Sequence, residues 1–255
     1  VYIGGGTPTA VSAAQLRTLM QAVRDNFDVP AVREYTVEAG RPDCTTPEKL
    51  AVIKEYGATR ISINPQTLSD EVLAAIGRRH TAQDVLDCFA QARRLGHGNI
   101  NMDLIAGVLA LAPENITVHT LTLKRASNLV IEHAPNAYGD VARMLDSCAL
   151  LGENGYEPYY LYRQKGTLQN LENTGYTRPG YAGLYNVFIM EEVHTILSAG
   201  AGGSTKLVGP DGHIRRIFNH KYPLEYIERF DVVQARKQGV DDFYAKYADL
   251  DPETA

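Results

Sequence analysis

Val1-Tyr2-Ile3-Gly4-Gly5-Gly6-Thr7-Pro8-Thr9 is a short β-branched run that turns at three glycines and enters a helix near Ser12. Glycine reaches positive φ without penalty and leaves main-chain N–H groups unshielded. Thr7 and Pro8 are good first-turn residues for a helix. A carboxylate or phosphate would sit well against such amides, although a lone glycine turn also serves as a plain strand-to-helix corner. What repeats after this first strand-turn-helix unit decides the fold.

Strand-like and helix-like periods alternate from there. A helix over Ser12–Phe27 carries Leu16, Leu19, Met20 and Val23 at helical spacing. Glu34–Glu38 is a strand, and Thr46-Pro47-Glu48 caps a helix that runs to Tyr56 and stops at Gly57. Thr59–Asn64 is a strand, followed by helices at Ser69–Ile76 and Ala82–Leu95, the second ended by Gly96. Asn99–Ile105 and Ile116–Leu123 are strands. Five strands separated by helices predict an α/β fold with a parallel sheet or barrel. One link breaks the pattern, because parallel neighbours need a crossover of about a dozen residues and only Val108–Asn115 lie between Gly107 and Ile116. Either these strands are not parallel neighbours or the sequence lacks a segment after Gly107. The second is favoured: Val108-Leu109-Ala110-Leu111 reads as the tail of a helix and Ala112-Pro113 as its exit.

The 255 residues, 44% of them hydrophobic, can bury the core of one barrel-sized domain plus an appendage, or of two small domains. A net charge of −5 argues against nucleic-acid partners. No apolar run approaches the ~20 residues that span a bilayer, and no signal peptide opens the chain, so a cytoplasmic, soluble protein is expected. Cys44, Cys88 and Cys148 never stand in Cys-x-x-Cys spacing, which suggests a reducing compartment and no metal site by themselves. The first residue is not Met and lies inside a strand, so the chain is expected to be a piece of something longer. The seven histidines show no metal-ligand pairing, and His119, within a strand, reads as a satisfied core histidine.

The strand ends carry the chemistry. Glu38 stands at the C-terminal tip of its strand. Arg60, Ser62, Asn64 and Gln66 share one face opposite Ile61 and Ile63, and Asn99, Asn101 and Asp103 share a face opposite Ile100, Met102 and Leu104. Polar residues at the carboxyl ends of parallel strands are where barrel active sites lie. Glu38 and Asp103 are candidate ligand groups, because an idle buried carboxylate is too costly to keep. After a helix at Val141–Leu151 comes an aromatic block, Tyr156–Tyr162. Gly200-Ala201-Gly202-Gly203-Ser204 follows the helical Glu191–Leu197 rather than a strand, and reads as a turn near the site.

Gly4-Gly5-Gly6-Thr7-Pro8-Thr9, Val37-Glu38-Ala39-Gly40-Arg41-Pro42-Asp43, Arg60-Ile61-Ser62-Ile63-Asn64-Pro65-Gln66-Thr67, Ile76-Gly77-Arg78-Arg79-His80 and Asn99–Gly107 follow one another as in a known family. They resemble the radical S-adenosylmethionine enzymes of the oxygen-independent coproporphyrinogen III oxidase family. Thr117–Leu121, Lys124–Ser127, Tyr159–Lys165 and Asn170–Asn173 look like its coproporphyrinogen dehydrogenase subgroup. The resemblance implies a partial (β/α)6 radical-SAM barrel over residues 1–140, truncated at its N-terminus. A smaller, mostly helical C-terminal domain over 141–255 would cover the barrel mouth. It implies S-adenosylmethionine as cofactor, contacted by Gly5, Gly6, Thr7, Glu38, Gln66, Arg78, Asp103 and Thr122. Exposed N–H groups suit its carboxylate, acids its ammonium, sulfonium and ribose hydroxyls, and the fork of Arg78 a carboxylate.

The resemblance also implies a [4Fe–4S] cluster, an electron donor to reduce it, a tetrapyrrole substrate and a monomer. Tyr159, Tyr160, Tyr162, Arg163 and Lys165 would offer a tetrapyrrole stacking faces and cations for its carboxylates, or Tyr156–Tyr162 packs on the barrel as a Tyr-rich helix or strand. The family's Cys-x-x-x-Cys-x-x-Cys loop, whose thiolates such a cluster requires, is expected upstream of Val1. The family also inserts a Leu-Pro-Gly turn and a helix after the position of Gly107, so the gap in the crossover coincides with a gap against the family. Two functions follow from the resemblance: oxidative decarboxylation of coproporphyrinogen III to protoporphyrinogen IX, favoured by the subgroup-like stretches, and non-catalytic haem carriage.

Overall fold

Alternation in Arg60-Ile61-Ser62-Ile63 sends isoleucines to one side of a strand and polar groups to the other, and the neighbouring strands do the same. Residues 1–104, 108–118, 141–162 and 172–247 are described by a computed structural model of the protein. Within them β1 (Tyr2–Ile3), β2 (Thr36–Glu38), β3 (Arg60–Ile63), β4 (Ile100–Leu104) and β5 (Asn115–Val118) lie side by side in chain order. All four pairings are parallel, as expected, and the register sets Thr36 beside Arg60, Glu38 beside Ser62, Ser62 beside Asn101 and Asp103 beside Thr117. The aromatic block forms β6 (Glu157–Tyr162). It pairs antiparallel with β7 (Asn173–Thr177), which in turn pairs antiparallel with β5.

The helices start where short polar side chains can take up their free N–H groups. α1 (Ala13–Asn26) begins in a capping box of Ser12 and Gln15. Thr46, Ser69 and Thr81 cap α2 (Pro47–Glu55), α3 (Asp70–Ala75) and α4 (Ala82–Arg94). Their buried faces cover the apolar side of the sheet, where Val37, Ile61, Ile63, Ile100, Met102 and Ile116 pack with Leu16, Met20, Leu50, Ile53 and Val85, all fully buried. Each such side chain contributes about 1.5–3 kcal/mol. Leu19 departs from the expected stripe and is 44% exposed, since Leu16 and Met20, one turn apart, already fill the contact.

The short link is a finding. β4 and β5 are parallel neighbours, which removes the first of the two alternatives. The other, a segment lost after Gly107, turns on residues 105–107, outside the described set. The rest of the link is closely packed: a 3-10 turn, Val108–Leu111, buries Val108 completely, and Ala112 reverses direction at φ 48°. Glu114 fastens it, one carboxylate oxygen accepting from Arg93 at 2.8 Å and the other from the Ile100 N–H at 2.8 Å. One acid thereby ties the end of α4, the start of β4 and the approach to β5 together.

Two compact units divide the chain at Tyr185 and Asn186. The expected boundary after residue 140 lies earlier, because β6 and β7 extend the first unit's sheet. Helix α5 (Val141–Glu153) belongs to that unit, and α6 (Leu184–Glu191) straddles the division. The second unit holds a hairpin of β8 (Ser204–Val208) and β9 (Ile214–Phe218), with α7 (Pro223–Glu228), α8 (Phe230–Lys237) and α9 (Gly239–Tyr244). Leu207, Ile217 and Phe243 form its small core. Gly200–Gly203 is the turn that leads into β8, with Gly200 and Gly202 at positive φ. Among the described residues no helix is long and apolar enough to cross a membrane.

Candidate functional site

The glycine turn and the tip of β2 meet. Gly5 lies at φ 115°, which only glycine adopts readily, and its N–H points to Glu38 Oε2 at 3.3 Å. A Cβ on Gly4 would run into the Tyr2 ring and press on the Glu38 carboxyl. The Tyr2 hydroxyl donates to Glu38 Oε1, so each oxygen of this half-buried carboxylate has a donor. Burial and the adjacent Glu38 hold the Tyr2 phenol far above its ordinary range, so it stays a donor. Its ring stacks on Tyr185, centroids 3.9 Å apart. Tyr185 is fixed in turn by Glu34, whose carboxylate accepts from the Leu184 and Tyr185 N–H groups at 2.7 and 3.3 Å. Gly6 is exposed with open space around it, and Thr7, half-buried, starts a 3-10 turn in which its carbonyl accepts from the Ala10 N–H.

Asp103 stands on the same polar face, two residues past Asn101 in β4. It is only 7% exposed. The Gln66 amide donates to Oδ2 at 2.7 Å, while Oδ1 is buried without a hydrogen bond. Burial pushes its carboxyl up to about 7, against the Gln66 hydrogen bonds and the positive charge of Arg78, which favour the ionised form. Gln66 reaches it from a left-handed backbone, φ 65°, a strained conformation for a residue with a side chain. Arg78 follows the α3 stop at Gly77 and is half-buried.

A ladder of neutral polar groups crosses the same face from β3 to β6. Ser62 donates to Asn64 at 2.9 Å, Asn101 donates to Ser62 at 2.8 Å, and the Thr117 hydroxyl lies 3.2 Å from the Tyr160 hydroxyl. The Tyr160 ring covers Gly175, where any side chain would collide with it. Thus Gly5, Gly6, Thr7 and Glu38 form one group, Gln66, Arg78 and Asp103 another, and both belong to the polar face or the loops at its carboxyl end. Thr122, Arg163, Lys165 and His119 lie outside the described residues. The arrangement can receive a cationic ligand: a fixed carboxylate, a buried acid poised near neutrality with one free oxygen, and an open glycine turn.

Among the described residues no three His, Cys, Asp or Glu side chains are placed to hold a metal ion. Cys88 is a core thiol pushed up to about 12 by burial. Three contributors were not among the expected ligand contacts, although Arg60 was placed on the polar face of its strand. Tyr2 was legible in principle, since it alternates with Val1 and Ile3 and so faces the polar layer. Arg60, 3% exposed with Nε and Nη2 unpartnered, lies beneath the site among Tyr2, Tyr160 and Gly183. The third, His80, is 2% exposed and bonds the Pro65 carbonyl; nothing but its place after Arg78 marked it.

Residues 1–116 match the sequence profile of the Radical SAM superfamily. The chain is 45% identical over 252 residues to the oxygen-independent coproporphyrinogen-III oxidase-like protein HemZ of Bacillus subtilis, covering 91% of this chain and 50% of HemZ. It is 41% identical over 109 residues to the heme chaperone HemW of the same organism, covering 42% of this chain and 28% of HemW. The chain therefore spans half or less of these relatives. In structure it superposes on the coproporphyrinogen III oxidase HemN of Escherichia coli with a TM-score of 0.66, over 96% of this chain and 67% of that one at 19% identity, a likeness of fold. Residues 1–116 thus carry a radical SAM domain, with a fold like that of HemN, and over most of its length the chain is a homologue of an oxygen-independent coproporphyrinogen-III oxidase-like protein.

Proposed function

We propose that the first unit binds S-adenosylmethionine, and that the whole protein performs the oxidative decarboxylation of coproporphyrinogen III in porphyrin synthesis. The observation that carries the first part is Asp103: a buried acid with one unpartnered oxygen, on the face that also bears the doubly held Glu38. A cation placed between them would ionise Asp103 and relieve its desolvation. The Gly6 amide and Arg78 suit the ligand's carboxylate, Gly5 steadies Glu38 at the ligand, Gln66 orients Asp103, and Thr7 and Thr122 complete the contacts. When bound, this cofactor supplies the hydrogen-abstracting chemistry for which the superfamily is named. Among the described residues no cluster of thiolates is placed to hold a [4Fe–4S] cluster. Arg163 and Lys165 are the proposed partners of substrate propionates, and the decarboxylase reading leans on the HemZ-like identity across most of the chain.

Haem carriage is the second reading, favoured by the shorter match to a heme chaperone. Calorimetric titration with S-adenosylmethionine tests the site: the chain binds it, and Glu38→Ala or Asp103→Ala abolishes the heat. The full-length natural protein, reconstituted anaerobically with iron and sulfide and given a reductant, separates the two functions. Release of CO2 from coproporphyrinogen III supports the decarboxylase, and Arg163→Ala or Lys165→Ala then weakens substrate use more than cofactor cleavage. Tight haem binding without CO2 selects the chaperone.

A further inference from the structure

Three loops at the carboxyl ends of the strands carry the polar groups of the site. Residues 39–46 follow Glu38, residues 64–69 contain Gln66, and residues 76–81 contain Arg78. They are joined through few atoms. The Asn64 N–H donates to the Gly40 carbonyl at 2.8 Å, linking the first loop to the second. His80 is buried where the third loop meets both. Its Nε2 lies 3.2 Å from the Pro65 carbonyl oxygen, and its Nδ1, buried and without a hydrogen bond, is 3.9 Å from Asp43 Oδ1. Asp43 is itself gripped through both oxygens by Arg41, at 3.1 and 2.7 Å. A carbonyl can only accept, so the ring donates from Nε2.

The carbonyl that His80 holds belongs to the residue before Gln66, the one strained non-glycine backbone in this part of the site. A left-handed residue persists only where its surroundings over-determine it. We propose that His80 is a positioning residue: by clamping the Pro65 carbonyl, it fixes the Gln66 turn that presents its amide to Asp103. His80 also follows Arg78 by two residues, so one buried ring sets the second and third loops together against the first. The inference rests on the proposed S-adenosylmethionine site.

Glutamine carries its amide nitrogen about where imidazole has Nε2, and asparagine reaches only as far as Nδ1. His80→Gln therefore restores the bond to Pro65, and His80→Asn does not. S-adenosylmethionine titrated into the wild-type chain and both variants is expected to bind H80Q within about threefold of wild type and H80N about tenfold more weakly, a loss in the range seen when a supporting contact shifts a site by a fraction of an ångström. In a Gln66→Ala background the H80N penalty should vanish. Equal affinity of all three proteins, or an undiminished penalty in the Q66A background, overturns the clamp. If H80N does not fold, or if the wild-type chain binds no S-adenosylmethionine and the ligand reading falls by itself, the wild-type ring decides through its long-range 1H–15N NMR correlations: a slowly exchanging Nε2–H supports the clamp, and an Nδ1–H tautomer overturns it.

Discussion

The two faces of one sheet are built for opposite ends. On one, Val37, Ile61, Ile63, Ile100, Met102 and Ile116 are fully buried against the helices. On the other, the same strands present the half-buried Glu38 and Thr36, Arg60, Ser62, Asn101, Asp103, Asn115 and Thr117, nearly as buried as the isoleucines but polar. Similar burial with opposite chemistry means that the first face stabilises the fold and the second draws on that stability. An unpaired buried Asp103 oxygen and a strained Gln66 cost free energy that the isoleucines offset.

The sharpest way to break this division is Ile100→Ala. It is expected to lower the unfolding free energy by about 3 kcal/mol, as large-to-small changes in packed cores do, while folded protein keeps its S-adenosylmethionine affinity. A matching loss of affinity would merge the two faces. Asp103→Asn should act with the opposite sign. A carboxyl raised to about 7 in the folded chain and near 3.8 when unfolded makes stability greatest below about pH 4, declining as pH rises to about 7 and level above. The variant is then more stable than wild type at pH 8, with that slope gone from its pH–melting profile. The same group makes wild-type affinity for the cationic ligand fall as pH drops below about 7, and calorimetry across pH 6–8 reads this directly.

Tyr2→Phe keeps the stack on Tyr185 and removes one of two donors to Glu38. Affinity should weaken about tenfold, or about 1.4 kcal/mol, with little change in melting temperature. The smallest effect belongs to neither face. Arg17 and Glu55 form an exposed ion pair at 2.6 Å on the helical surface, and Arg17→Ala should leave the denaturation midpoint unchanged, because water already solvates both partners.

Much of the parallel half was legible because period-2 alternation and helix caps are local signals. Arg60-Ile61-Ser62-Ile63 declares both of its faces, and Ser12, Thr46, Ser69 and Thr81 mark helix starts. The antiparallel extension was not. Asn173-Thr174-Gly175-Tyr176-Thr177 mixes strand-favouring Thr and Tyr with Asn and Gly, which strands disfavour, and it is a fully buried strand because it lies between β5 and β6 with Tyr160 filling the space over Gly175. That partner is set by tertiary contact, not by its own residues. In the site, Glu38 and Asp103 stood out as acids in apolar strands. Tyr2 hid in a two-residue strand, and His80 acts through a backbone carbonyl, an acceptor that no side-chain pattern reveals.

Glu34 receives the N–H groups of Leu184 and Tyr185 across a sequence separation of 150 residues. Contacts of that range form late, since the loop they close must first be paid for in entropy. During synthesis at roughly 5–20 residues per second, on the order of ten seconds or more pass between the emergence of Glu34 and that of its partners. Through that interval the nascent sheet holds Tyr2 without its Tyr185 stack, and its outermost strand, two residues long, has no cover. The last residues of the first unit are thus the ones that finish its first strand, and a chain stalled on the ribosome before residue 184 should leave Tyr2 open to a phenol-directed reagent that it resists once Tyr185 has emerged and stacked on it.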